Sequence, residues 1–197
     1  MGRIVVVNFI SIDGVIQSPL SPGEDREGGF EHGGWVPPYS DDTVNAFMQN
    51  ATVGAAGMLL GRRSYEILRD AWSTVDESEP AIAAMNDMPK YVVASAPVDL
   101  AWRNSHLVGG DFAHAIADLK DRTDGDLVVF GAGALIRGLA EHDLVDEYRL
   151  LLFPVILGAG KRMFDDHGRM ATFTLTDSTV APKGVVLLTY TRDTPAR

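Results

Sequence analysis

Two short glycine turns constrain this chain more than any other feature, because each follows an apolar run and opens a segment of helical character. The first reads Met58-Leu59-Leu60-Gly61-Arg62-Arg63-Ser64-Tyr65-Glu66, and the second Asp126-Leu127-Val128-Val129-Phe130-Gly131-Ala132-Gly133-Ala134-Leu135. A buried strand that passes into a helix through glycine leaves the first N–H groups of the helix unbonded, at the positive end of its dipole. Such an end suits an anion, phosphate above all. Two of them in one small domain, one followed by Arg62, Arg63 and Ser64, point to a ligand with several phosphates. A dinucleotide meets that description.

A length of 197 residues suits a single α/β domain, residues 1–197, and is short for two. The formal net charge of −10 argues against nucleic acid, whose phosphates call for a basic surface. A phosphorylated small molecule responds to local charge instead. The chain has no cysteine, which removes disulfides, thiolate metal sites and cysteine nucleophiles and fits a reducing cytoplasm. The apolar start is interrupted by Asn8, soon meets Asp13 and has no small-residue cleavage site, so it does not read as a signal peptide. No run approaches the ~18–20 apolar residues of a membrane span. A cytoplasmic protein with a small-molecule partner, and with neither nucleic acid nor membrane, is expected.

Residues 3–10 are apolar and β-branched nearly throughout and predict a central strand buried on both faces. Residues 17–40 hold four prolines and five glycines without periodicity, the composition of a long functional loop. Ser40 is placed to cap a helix opening with Asp41 and Asp42, with Val44, Phe47, Met48 and Ala51 on its inner face. A strand at 57–60 leads into a helix over 62–70. Strands at 91–94 and 106–108 precede a helix over 111–121, and a strand at 127–130 precedes a helix over 134–142. From Asp146 onward the pattern changes: 147–153, 172–180 and 184–192 read as strands with no helix between them. Alternation followed by consecutive strands implies one mixed sheet with helices on its faces.

Neither glycine turn is a standard nucleotide motif. Ile136 stands where G-x-G-x-x-G needs its third glycine. Gly158-Ala159-Gly160-Lys161-Arg162 has Arg162 where a P-loop needs Ser or Thr, and Val155 where it needs its leading glycine.

Five segments in order carry a resemblance. They are Ser11-Ile12-Asp13-Gly14-Val15-Ile16, Leu60-Gly61-Arg62-Arg63-Ser64-Tyr65-Glu66, Val92-Val93-Ala94-Ser95, Phe130-Gly131-Ala132-Gly133, and Leu152-Phe153-Pro154-Val155-Ile156-Leu157-Gly158-Ala159-Gly160. The chain resembles the dihydrofolate reductase-like superfamily, and within it the reductase domain of bacterial riboflavin biosynthesis, the RibD C-terminal domain, as a stand-alone member. The resemblance implies an α/β three-layer sandwich: a mixed, mostly parallel central sheet, helices on both faces, and antiparallel C-terminal strands. It also implies an NADPH-dependent reductase, a homodimer, that passes a hydride to a small heterocyclic or carbonyl substrate. The model activity is that of 5-amino-6-(5-phosphoribosylamino)uracil reductase. Carried over, Gly61, Arg62, Arg63 and Ser64 would take the cofactor's pyrophosphate and 2′-phosphate, with Ser95 joining them. Phe130, Gly131, Ala132, Gly133, Ala134 and Leu135 would lie against the pyrophosphate and nicotinamide ribose, and Gly14 and Ile16 would also touch the cofactor. A guanidinium fork and hydroxyls suit a dianionic phosphate.

The candidates for chemistry are less sharply marked. Folate reductases of this fold carry a carboxylate on the helix after the long loop, which makes Asp42 the candidate here, with Asp41 close behind. Asn45 stands where a deeper carboxylate would be expected. Asp13 follows the first strand, where open sheets place ligands. His32 and Trp35 in the long loop are candidates for the substrate, His32 by proton donation or phosphate contact and Trp35 by stacking, with a tryptophan that only pins the loop to the domain as the alternative. Lys161 and Arg162 are candidates for a substrate phosphate, and a solvated charge pair is the ordinary alternative. His106, His114, His142 and His167 form no ligand pattern, and no metal is expected. A second copy would meet the apolar stretch 150–157. A true dihydrofolate reductase and a non-catalytic NADP(H)-binding or interaction protein remain as alternatives.

Overall fold

The first strand, β1 (Arg3–Ser11), shows why the chain folds in three layers. It is apolar at almost every position, so both of its faces must be covered. Val5 and Val7 enter one core with Met58, Leu60, Val128 and Phe153, while Ile4 and Val6 enter a second with Leu59, Leu127 and Val129. The computed structural model describes residues 1–165 and 168–193. After β1 come α1 (Asp42–Val53), β2 (Ala55–Gly61), α2 (Arg62–Trp72), α3 (Pro80–Asp87), β3 (Lys90–Val93), β4 (Ser105–Val108) and α4 (Phe112–Arg122). They are followed by β5 (Asp126–Phe130), α5 (Gly133–Glu141), β6 (Glu147–Phe153), β7 (Phe173–Val180) and β8 (Val186–Arg192).

All eight strands form one sheet in the order β4-β3-β2-β5-β1-β6-β8-β7. Every neighbouring pair from β4 to β6 is parallel. β8 then runs antiparallel to β6, and β7 antiparallel to β8. Val44 and Ala51 of α1, Tyr65 of α2 and Met85 of α3 cover the first core. Ile116 and Leu119 of α4, with Ile136 and Leu139 of α5, cover the second. This is the mixed, mostly parallel three-layer sheet with antiparallel C-terminal strands that the resemblance implies.

Asp41, not the expected Ser40, caps α1: its Oδ1 accepts the N–H groups of Thr43 and Val44 at 3.0 and 3.1 Å, so the helix opens at Asp42. A carboxylate reaches these amides as well as a hydroxyl does and also favours the dipole. The short helix α3 has no counterpart among the expected elements. It is 8 residues long with Pro80 at its first turn, too brief for a periodicity to stand out. β6 is paired on both edges, by β1 and β8, so the stretch 150–157 offers no strand edge to a second copy. The outer strands are β4 and β7. Among the described residues, no helix is long and apolar enough to cross a membrane.

Candidate functional site

β2 and β5 are parallel neighbours, so the two glycine turns open at the same end of the sheet. A Cβ on Gly131 would stand 3.8 Å from Ser64 Oγ, and one on Gly61 3.8 Å from Leu135 Cβ, which measures how closely the turns adjoin. The residue before each helix is Gly61 for α2 and Ala132 for α5, and no side chain caps either helix. The leading N–H groups of both helices are therefore left for a ligand or for water. Gly131 at φ +62° and Ala132 at φ +57° are both left-handed, an arrangement strained for alanine.

Asn8 of β1 holds this turn in place. Its Oδ1 accepts the Gly131 N–H at 2.6 Å while its Nδ2 donates to the Gly131 carbonyl at 3.2 Å. The side chain is 3% exposed, so its amide is committed to these bonds.

The turns form one end of a cleft of about 1070 Å³. Val7, Asn8 and Phe9 lie along it, and α1, α2 and α3 line its other end with Asn45, Met48, Gln49, Leu68, Trp72, Ile82 and Met85. Ile16, Gly61, Arg62, Arg63, Ser64, Phe130, Gly131, Ala132, Gly133, Ala134 and Leu135 all line the cleft. The structure thus brings together eleven of the residues singled out for a cofactor. Gly14 and Ser95 stand outside it. Gly14 turns the chain after β1, its N–H bonded to Ser11 at 2.9 Å, and Ser95 is exposed beyond β3.

The four residues singled out for chemistry or substrate also lie outside the lining, and each has another part. Asp13 accepts the Ser11 hydroxyl at 2.7 Å and the N–H groups of Leu157 and Gly158 at 3.1 and 2.8 Å. The Ser11 bond, followed by those backbone bonds, holds its carboxyl down to about 2. It is an ionised brace for the loop after β6. Asp42 is exposed in the first turn of α1. His32 is exposed and stands edge-on to Phe30 at 5.8 Å. Trp35 is 6% exposed, donates its indole N–H to the Gln17 carbonyl at 2.9 Å and packs edge-on against Phe153, so it fixes the long loop to the core.

Sequence reading missed the loop carboxylates in the cleft wall. Gln17 gathers the loop: its Nε2 donates to the carbonyls of Asp25 and Glu27, and its Oε1 accepts the Lys161 N–H at 2.9 Å. Asp25 and Glu27 then clasp the Lys161 ammonium at 2.7 and 2.5 Å. Burial alone would raise Asp25, but the Lys161 bond, the Glu27 N–H bond and the nearby Lys161 and Arg63 charges together hold the carboxyl below its usual value. Lys161, burial notwithstanding, is held above its usual value by the same two carboxylates. Burial raises Glu24, whose carboxylate accepts the N–H groups of Leu20 and Ser21 at 2.9 and 3.4 Å. Cleft-lining Arg137 is tied to Asp165 at 3.0 Å. Arg162, outside the lining, donates to the Asp13 carbonyl at 2.9 Å. Arg63 meets Asp25 only at 3.8 Å, and Arg62 is without an ion-pair partner among the described residues. Free positive charge in the cleft is thereby concentrated on the first turn of α2.

Among the described residues, no group of three or more His, Asp or Glu side chains could hold a metal ion. His167 lies outside the described residues.

Solved structures share this architecture over nearly the whole chain. A protein from Shewanella sp. PV-4 whose name ties it to riboflavin biosynthesis aligns at TM-score 0.70 and 21% identity, over 98% of this chain and 99% of its own. Dihydrofolate reductase from Enterococcus faecalis, complexed with NADP(H), aligns at TM-score 0.64 and 14% identity, over 98% and 97%. A pyrimidine reductase-like protein from Corynebacterium diphtheriae aligns at TM-score 0.62 and 12% identity, over 98% and 92%. The fold is thus dihydrofolate reductase-like. The model of the RibD C-terminal domain matches residues 3–187, and the chain belongs to that family. In sequence it is 24% identical over 140 residues, 68% of this chain and 72% of the other, to the uncharacterized protein YyaP of Bacillus subtilis (strain 168). Family membership supports a reductase-type function.

Proposed function

We propose that the chain is an NADPH-dependent reductase of a small heterocyclic or carbonyl compound. The observation that carries this reading is the pair of uncapped helix N-termini, adjoining across β2 and β5, with Arg62, which has no ion-pair partner among the described residues, at one of them. The residues fit the cofactor: Gly131 and Gly61 leave room for close backbone approach, and Arg62, Arg63 and the Ser64 hydroxyl suit a dianionic 2′-phosphate. The nicotinamide, when bound, supplies the hydride. The helix N-termini neutralise and orient the pyrophosphate. Asn8 keeps the second turn in its left-handed form, and Val7 and Phe9 of β1 supply apolar surface on either side of it. α1 presents Asn45 rather than a carboxylate to the cleft, which favours this reading over a true dihydrofolate reductase.

Calorimetric titration with NADPH and NADH, repeated on Arg62→Ala and Arg63→Ala, tests the reading. Preference for NADPH that falls in both variants is expected. No binding of either nucleotide by the folded protein would overturn it. The implied homodimer is proposed at β7, an outer strand whose Leu175 and Val180 are exposed. Light scattering after gel filtration, with Leu175→Lys, would detect its loss.

A further inference from the structure

The cleft has two chemically different ends. Its least tightly held cations, Arg62 and Arg63, the latter 3.8 Å from Asp25, both sit on the first turn of α2, beside the glycine turns. Of the other cationic side chains in the lining, Lys161 is clasped by Asp25 and Glu27, and Arg137 is tied to Asp165. The end lined by α1, α2 and α3 is instead mostly apolar, walled by Met48, Leu68, Trp72, Ile82 and Met85, and the one charged side chain it adds among the described residues is the carboxylate Glu79 at the start of α3. On α1, Asn45, Gln49 and Thr52 stand at i, i+4 and i+7, one polar stripe along that end. The Thr52 hydroxyl is spent on the Met48 carbonyl at 2.8 Å, whereas the Asn45 and Gln49 amides have no side-chain hydrogen bond among the described residues.

From this we infer, resting on the reductase reading, that the substrate is an uncharged, phosphate-free molecule. It has a flat apolar body and an edge of ring-amide or carbonyl groups, read by the Asn45 and Gln49 side chains. An anion at this end would lose its hydration without meeting a free cation. A neutral edge, by contrast, finds in each amide both a donor and an acceptor. Among the described residues, the phosphate of a riboflavin-pathway substrate thus meets no free cation at this end.

The test uses protein carrying 13C-methyl methionine, saturated with NADPH, with the Met48 and Met85 methyl resonances assigned through Met→Leu variants. Two neutral heterocycles, lumichrome and quinazoline-2,4-dione, are titrated against riboflavin 5′-phosphate and uridine 5′-monophosphate. The neutral compounds are expected to shift both methyls and to bind at least about tenfold more tightly than the phosphorylated ones. Asn45→Ala and Gln49→Ala should each weaken the neutral compounds about 2- to 10-fold with NADPH affinity unchanged. Equal or tighter binding of the phosphorylated pair, or methyls that respond to neither neutral compound, would overturn the inference. Failure of NADPH itself to bind, seen in the saturation step, would instead bring down the reductase reading.

Discussion

Replacing Asn8 by alanine isolates what the second glycine turn depends on. The wild-type side chain satisfies the N–H and the carbonyl of Gly131 at once, at 2.6 and 3.2 Å, and its Nδ2 also lies 3.5 Å from Met163 Sδ. Each backbone bond contributes about 1 kcal/mol net, and a donor or acceptor left unpaired away from water costs about 1–3 kcal/mol. Water entering from the cleft relieves part of that penalty, so the loss of stability comes to about 2–3 kcal/mol. For a chain of this size that is roughly 4–12 °C in Tm. Gly131 and Ala132, released from the clamp, relax from their left-handed geometry, and NADPH affinity falls about tenfold in the same variant. Calorimetry gives both quantities, by thermal unfolding and by titration. Asn8→Leu keeps most of the buried volume while deleting both bonds, and it should lose affinity similarly. A leucine variant within about 0.5 kcal/mol of wild type that binds NADPH normally would refute the clamp.

Three further substitutions probe the loops and the core. Gly160 has φ +116°, and a Cβ there would lie 2.8 Å from both Phe30 and Val15, so Gly160→Ala should cost about 2–4 kcal/mol in chemical denaturation. The Asp13 carboxyl titrates near 2 when folded, below its ordinary 3.8, so the stability it contributes is complete above about pH 4 and is lost as the pH falls toward 2. Asp13→Asn should therefore flatten the acid limb of the pH–stability curve over that interval. Lys90 is fully buried, bonded to the Asn86 and Arg103 carbonyls and 4.6 Å from the Trp102 ring. Burial, then the Arg103 charge, pushes its ammonium down to about 8, whereas the unfolded chain keeps the proton to about 10.5. Wild-type stability should accordingly rise with pH between those values, and Lys90→Met should abolish the rise.

The legible parts of the fold were those where one physical demand fixes several residues at once. A strand covered on both faces must be apolar over its buried stretch, as β5 is from Leu127 to Phe130 and β1 is from Ile4 to Ile10 apart from Asn8. The change from alternating elements to consecutive strands after Asp146 foreshadowed the antiparallel edge of the sheet. Parts that depend on a single side chain were harder to read. Ser40 and Asp41 are both good caps, and only backbone geometry selects Asp41. Asn8 carried a readable signal, since a lone amide in an otherwise apolar buried strand must be bonded to something, but not the identity of its partner 123 residues away. Trp35 stands open to both stacking and pinning the loop, because sequence cannot distinguish an aromatic that pins a loop from one that meets a ligand.

The same asymmetry separates the two ends of the cleft. Binding phosphate through backbone N–H groups demands glycine or left-handed geometry, an uncapped helix and a nearby guanidinium, and these demands fall on adjacent residues and so form a motif. Binding an uncharged ring demands only shape and one or two amides. Those can come from Asn45 on α1, Trp72 on α2 and Met85 on α3, which are far apart in sequence and converge only once α1 packs against α3. No spacing rule connects them, and each alone resembles an ordinary surface or core residue. The cofactor end of such a chain can thus be constrained by phosphate chemistry while the apolar end varies with the ring it must accept. Substrate differences within this fold should therefore concentrate on α1, α2 and α3 rather than on the glycine turns.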